Sequence, residues 1–350
     1  MITYRSINDE MKAIYGKKVY RVSLDGGMTC PNRDGKLDTR GCIFCSAGGS
    51  GDFASSRLLS ITAQIEDGKK RIQKKAPGCD ALIAYFQAYT NTYADISYLR
   101  SIFTEAIRHP QVVILSIATR PDCLPDEVID LLTELSRIKP VWVELGLQTI
   151  HEKSAEFIRR GYPLSVYDDA LTRLTQAGIK AITHVILGLP GESREDMLST
   201  VDYVCKSPSW GIKLQLLHIL KGTDLAAYYE AHPFPIMSLQ EYTSLIVDCL
   251  RLIPEDMVVH RITGDGPKSL LIEPAWSADK KRVLNTISRA LAEEFTSPLE
   301  ETHAAHCTFH QCSLRSSDRS RQSFSADCSR SDHLPPQSKC KAPHCLNHRE

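Results

Sequence analysis

The chain has 350 residues, with 42 Lys and Arg against 42 Asp and Glu, so its formal net charge is +0. Its isoelectric point is near 7.2, and no global field recruits nucleic acid or membrane; any polyanion site must be a local patch. Hydrophobic residues make up 42% and charged ones 24%, as in ordinary globular proteins that bury a sizeable core.

The N-terminus, MITYRSINDEMKAIYGKKVYRV, has no apolar signal core. No apolar run approaches the ~18 residues of a spanning helix. The expectation is therefore a cytoplasmic protein with no membrane partner. Its twelve cysteines are expected to be reduced, so clustered ones read as metal-binding or catalytic.

Short apolar runs predict buried strands at 18–27, 81–89, 112–120, 141–148, 181–190 and 212–220. Helix-period segments at 97–109, 125–138, 167–178 and 194–206 separate the later ones. Pro125 and the acids after it suit a helix start, and Gly178 suits a C-cap. Strands alternating with single helices are the signature of βαβ units and a parallel sheet. About six repeats favour an α/β partial (β/α)6 TIM-like barrel over a full eightfold one; a doubly wound open sheet is the alternative.

After residue 222 the pattern turns helical, at 223–232, 239–253 and 279–295, with one more possible strand at 257–264. From 296 to 350 the chain is rich in Ser, His and Cys and lacks a helical period, which reads as a disordered tail. Its Cys307, Cys312, Cys328, Cys340 and Cys345 have no regular metal-ligand spacing. The expected domains are thus 1–222, a partial barrel with an N-terminal loop; 223–295, a helical extension; and 296–350, the tail.

The stretch CPNRDGKLDTRGCIFC places Cys30 eleven residues before the CxxC pair Cys42 and Cys45, in a glycine-rich segment after the first strand. In parallel α/β folds that loop lies at the functional end of the sheet. Three thiolates on a four-iron cluster leave one iron without a protein ligand. A zinc site with Asp25 or Asp34 as the fourth ligand is equally compatible with the spacing.

The later strand ends break the tie. Together with that cysteine stretch, AYFQAYTNTYA, LSIATRPDCLPDEVIDLL, VWVELGLQT, HVILGLPGES and LQLLHILKGTDLA, in this order over roughly residues 15–290, resemble the radical S-adenosylmethionine (SAM) superfamily. The branch is the one similar to the elongator catalytic subunit and the oxygen-independent coproporphyrinogen oxidases, in a small bacterial subfamily. The eleven-residue gap departs from the superfamily's commonest three-residue spacing.

The resemblance implies that Cys30, Cys42 and Cys45 ligate a 4Fe–4S cluster whose open iron takes SAM. Reductive cleavage of SAM would then give a 5′-deoxyadenosyl radical that abstracts a substrate hydrogen. Phe44 fits the aromatic usual between the last two cysteines. Gln87, Tyr89, Thr90 and Asn91 are implied to contact the methionine moiety, and Thr119 and Arg120 the ribose or carboxylate. Glu144, an acid inside an apolar strand, needs a partner, and SAM's ammonium or ribose is the one implied, with Gln148 assisting. Ile186, Gly188 and Gly191 resemble the motif that passes the adenine. His218 and Lys221 are candidates on the substrate side.

Members of this subfamily look like modifiers of the tRNA wobble uridine, converting a 5-carboxymethylaminomethyl group to 5-aminomethyl. Local basic runs such as KKRIQKK (69–75) could serve such a substrate. The implied partners are tRNA and an electron donor such as flavodoxin or ferredoxin. Two rivals stand beside this reading: a radical SAM enzyme acting on a small metabolite or partner enzyme, and a non-catalytic zinc-binding α/β adaptor.

Overall fold

The computed structural model describes residues 4–293 apart from 50, 52, 53 and 265. The tail expected from residue 296, with its five cysteines, lies outside the described residues.

The chain opens with β1 (Arg5–Ser6), α1 (Ile7–Tyr15), β2 (Tyr20–Leu24) and α2 (Ile61–Gln73). It continues through β3 (Leu82–Phe86), α3 (Ile96–Arg108), β4 (Val112–Thr119), α4 (Asp126–Ser136) and β5 (Val141–Gln148). Next come α5 (Glu152–Phe157), α6 (Leu164–Gln176), β6 (Lys180–Leu187), α7 (Arg194–Lys206) and β7 (Gly211–Leu216). The last elements are β8 (Ile219–Leu220), α8 (Asp224–Ala231), α9 (Leu239–Leu252), β9 (Val258–Arg261), β10 (Leu271–Glu273) and α10 (Lys280–Glu293).

Eight strands form one sheet in the order β1-β9-β7-β6-β5-β4-β3-β2, and every neighbouring pair is parallel. The edges β1 and β2 do not pair among the described residues, so the sheet is an open half-barrel. The six strands from the β2 edge to β7 are the sixfold alternation read from the sequence. Two strands extend it. β9, expected only as a possible strand among helices, lies beside β7, and the two-residue β1 lies beyond it. A Cβ at Gly211 would fall 2.8 Å from the Val258 carbonyl oxygen, so only glycine lets β9 close up on β7.

The run expected as one strand over 212–220 is split. The chain leaves the main sheet after Leu216, and Ile219–Leu220 pairs antiparallel with β10. An unbroken apolar run does not show where a strand changes sheets.

Two packed layers hold the barrel. Outside, the helices bury their apolar faces on the sheet, as α3 does with Leu99, Ile102, Phe103, Ala106 and Ile107. Helix α2 approaches β2 closely because residue 68 is glycine; a Cβ there would meet Val22 Cγ1 at 2.3 Å. Inside, at the N-terminal end of the strands, Met11 of α1 packs with Ile83, Ile114, Trp142 and Ile182. The Trp142 ring lies 5.0 Å from Trp210 and 5.5 Å from His260. That plug closes one end of the half-barrel and leaves the C-terminal strand ends to form the site. No helix among the described residues is long and apolar enough to cross a membrane.

Candidate active site

The loop between β2 and α2 carries the three cysteines, and its shape is fixed by Gln64 of α2 and by two side chains of its own, Asn32 and Arg33. Buried Gln64 of α2 accepts from the Asp25 N–H (2.8 Å) and donates to the Asp25 and Leu59 carbonyls (2.9 and 3.1 Å). Asn32 accepts the Gly41 N–H through its carbonyl (2.6 Å), while its side chain donates to the Arg159 carbonyl (2.7 Å) and to Cys42 Sγ (3.5 Å). Arg33 donates to the carbonyls of Cys45 (3.2 Å) and Ser46 (2.8 Å). The Ile43 N–H donates to the Ile158 carbonyl after α5, and the Ile43 carbonyl accepts from Leu225 of α8. Phe44 packs against the apolar group of Ile158, Ile186, Leu217 and Leu225.

Cys30, Cys42 and Cys45 line one cavity of about 460 Å³ at the C-terminal ends of the strands. Among the described residues no three His, Cys, Asp or Glu side chains are gathered tightly enough for a single metal ion. Cys42 and Cys45 are hydrogen-bonded to each other, and Cys30 lines the same cavity. Cys42 is pushed down to about 6 by its hydrogen bond with Cys45, with Arg120, Asn32 and Arg159 acting in the same direction against burial. The same hydrogen bond, together with burial, raises Cys45. Thiolate character of this kind suits a metal ligand.

Of the residues singled out in the sequence for SAM, Gln87, Tyr89, Thr90, Thr119, Arg120, Glu144, Gln148 and Ile186 line the same cavity. Tyr89 and Gln148 hold left-handed backbone, at φ 60° and 69°, where a strand becomes a loop. The Tyr89 hydroxyl donates to the Ala47 carbonyl at 2.5 Å, joining this loop to the cysteine loop. Gln87 Nε2 and Gln148 Oε1 are buried and have no partner among the described residues. A polar ligand would satisfy both, and with three thiols on the same wall the donor set fits a thiolate-held cluster beside a polar small molecule.

Four residues lie elsewhere. Asn91 is buried behind the lining, its side chain donating to the Ala118 carbonyl at 2.8 Å. Gly188 faces Met237, whose Cε would sit 2.8 Å from a Cβ there. Gly191 turns at φ 84° on the way into α7. His218 lines the cavity, whereas Lys221, placed with it from the sequence, is exposed beyond the β8 turn. The split of the expected last strand is the reason: residues 219 and 220 belong to the second sheet and carry Lys221 outward.

Beneath the cysteines lies a polar layer that sequence reading missed apart from Glu144. Glu144 Oε1 accepts from Ser116 Oγ (2.9 Å) and lies 3.5 Å from Arg21. Oε2 accepts from Lys213 Nζ and contacts His184 Nε2 at 2.8 Å. Both oxygens are thus engaged by protein groups. The Arg21 guanidinium and Lys213 ammonium each lie 4.7 Å from the Tyr85 ring centre. Despite its burial, Glu144 is held well below the usual carboxylate range by Lys213 and then Arg21. Burial pushes Lys213 well down and His184 to about 4. The available signal was a polar residue at an inward position of each strand: Arg21, Tyr85, Ser116, Glu144, His184 and Lys213.

A family model described as the Radical SAM superfamily matches residues 39–204, which include Cys42 and Cys45 with Cys30 just upstream. A second, described as the Radical_SAM C-terminal domain, matches residues 209–293. The Bacillus subtilis (strain 168) protein YtqA is 46% identical over 288 residues, covering 82% of this chain and 89% of that protein. A tRNA uridine(34) acetyltransferase of Methanocaldococcus jannaschii is 25% identical over 164 residues, 46% of this chain and 30% of that protein. Among solved structures, Elp3 of Methanocaldococcus infernus superposes with a TM-score of 0.60 at 17% identity, covering 80% of this chain and 64% of that one. That likeness shows the fold.

Proposed function

The chain belongs to the radical SAM superfamily of enzymes, whose cofactors are a 4Fe–4S cluster and SAM; from that premise we propose that it modifies the tRNA wobble uridine, trimming a 5-carboxymethylaminomethyl group to 5-aminomethyl. When bound, the two cofactors would supply a 5′-deoxyadenosyl radical for hydrogen abstraction at the glycine-derived methylene of that group. With SAM as the net two-electron oxidant, addition of water to that carbon would release the arm as glyoxylate and leave the aminomethyl nitrogen. Cys30, Cys42 and Cys45 would hold the cluster. Gln87, Tyr89, Thr90, Thr119, Arg120, Gln148 and Ile186 would bind SAM and keep water from it. A low-potential donor such as flavodoxin or ferredoxin would supply the electron, in the cytoplasm where tRNA is found.

The observation that carries the reading is the cavity itself. Three thiols line it together with two unpartnered buried amide atoms, Gln87 Nε2 and Gln148 Oε1, and with the charged pair of Glu144 and Lys213. The tRNA half draws its support from the likeness to the uridine(34) acetyltransferase.

The test is anaerobic incubation of reconstituted protein with SAM, dithionite and tRNA bearing the carboxymethylaminomethyl group, followed by nucleoside mass spectrometry. The expected result is loss of that nucleoside, gain of the aminomethyl one and formation of 5′-deoxyadenosine. Cleavage of SAM with an unchanged nucleoside would overturn the tRNA reading.

A further inference from the structure

The cavity residues assigned to the cluster and to SAM all come from the chain up to Ile186. The chain after it adds a further, uncharged wall. Gln215 and Leu216 stand at the end of β7, Leu217 and His218 in the turn that follows, Leu220 in β8 and Pro267 in the loop between β9 and β10. All six lie beyond residues 39–204, the part matched to the superfamily as a whole, and within 209–293, the part matched to the C-terminal domain. Leu217 packs in one apolar group with Ile186, so this wall adjoins the SAM side of the cavity.

Two features give the wall its chemistry. The first is the setting of His218. A Cβ at Gly264 would fall 2.6 Å from its Cε1, and one at Gly266 would fall 2.7 Å from its Nδ1. Backbone therefore lies along the edge of the imidazole, as close as only glycine permits. A ring gripped by its edge is a fixed platform, and stacking asks for its face rather than for an unpaired nitrogen.

The second is the orientation of Gln215. His184 Nε2 lies 2.8 Å from the Glu144 carboxylate and so carries the ring proton, while burial keeps the imidazole neutral. Its Nδ1 is then an acceptor, and the Gln215 amide 3.3 Å away must present Nε2 to it. The Gln215 carboxamide oxygen is thereby turned away from His184, as an acceptor on a residue that lines the cavity.

We propose that this wall is a base pocket, in which a uracil ring stacks on His218 between Leu216, Leu220 and Pro267 and donates its N3–H to Gln215. That the ring is the wobble base rests on the wobble-uridine reading; that the wall suits a flat ring with an N–H on its edge rests on the cavity itself. A base leaves its own stack for such a site when an aromatic side chain replaces its neighbour and a polar one reads its edge. Cytosine has no proton at N3 to give.

The experiment uses three anticodon stem-loops that differ only at the wobble position, as uridine, cytidine or an abasic site. Each is titrated against the SAM-loaded, reconstituted protein at one stated salt concentration. Uridine should bind at least about fivefold more tightly than the abasic loop, the low end of base–aromatic stacking, and more tightly than cytidine. His218→Ala should bring the uridine-to-abasic ratio toward one. Gln215→Leu should bring the uridine-to-cytidine ratio toward one and keep most of the other. Both should retain the cluster absorbance and SAM binding, whereas a merely structural role would weaken all three RNAs alike. Gly266→Ala, which displaces the His218 ring, should repeat the His218→Ala result and decides the matter if that variant does not fold. Equal binding of the three loops by a wild type that trims carboxymethylaminomethyl-bearing tRNA overturns the pocket and leaves the reaction. A preference for uridine without any trimming keeps the pocket and overturns the reaction. Binding of none of the loops overturns both.

Discussion

Lys213 on β7 and Glu144 on β5 meet across β6 in the middle of the half-barrel, their side chains 1% and 0% exposed. Each charge is tolerable there only because of the other and of the polar groups packed around them. Removing one partner of a buried pair leaves an uncompensated charge, which generally costs about 3–5 kcal/mol. Glu144→Gln should therefore lower unfolding stability by that order in a denaturant titration. Adding Lys213→Met to it should recover much of the loss. A double variant no more stable than Glu144→Gln alone would show that the pair is not what holds the layer together.

The cysteines separate by place. Cys30→Ala, Cys42→Ala or Cys45→Ala should each abolish the visible absorbance, bound iron and sulfide of anaerobically reconstituted protein. Cys249→Ala should keep all three, since Cys249 is buried in the outer core. It should lose only about 1 kcal/mol for the small void left behind. Full iron loading in Cys42→Ala would remove that residue from the ligand set.

Gly68 tests the packing of α2 on β2. A methyl group at this position would overlap Val22 Cγ1, at 2.3 Å. Helix propensity alone makes Gly→Ala favourable by about 1 kcal/mol, whereas overpacking costs about 1–3 kcal/mol. We expect a net loss of stability, read as a lower denaturation midpoint with unchanged slope. A more stable Gly68→Ala would mean that the helix can slide outward freely.

His184 gives the fold a pH dependence. Burial holds it at about 4, against an ordinary 6.5. Between those values the unfolded chain binds a proton that the folded chain refuses. This contribution to stability is therefore complete above pH 6.5 and is lost as the pH falls toward 4, by roughly 3 kcal/mol in all. The difference between wild type and His184→Gln, measured by denaturation from pH 7.5 to 4.5, isolates this group. The wild type should lose more stability over that range, and parallel curves would rule the effect out.

Periodicity along the chain is enough to read the repeating part of the molecule. Strand and helix periods differ, so the alternation from β3 to β7 was legible to within a few residues, apart from the change of sheet after Leu216, as was the helical run that ends in α10. The cysteine spacing and the polar strand ends also pointed to one end of the sheet, because parallel strands present all their C-terminal ends together. Tertiary structure decided what no period encodes. β9 and the two-residue β1 join the sheet through close approach at Gly211, a contact between residues 47 positions apart. The turn after Leu216 sends Lys221 outward and leaves His218 in the cavity. The charged layer of Arg21, Glu144 and Lys213 exists only once β2, β5 and β7, which are not neighbours in the sheet, belong to one half-barrel, since a lone polar residue in an apolar run does not reveal which charges it will face.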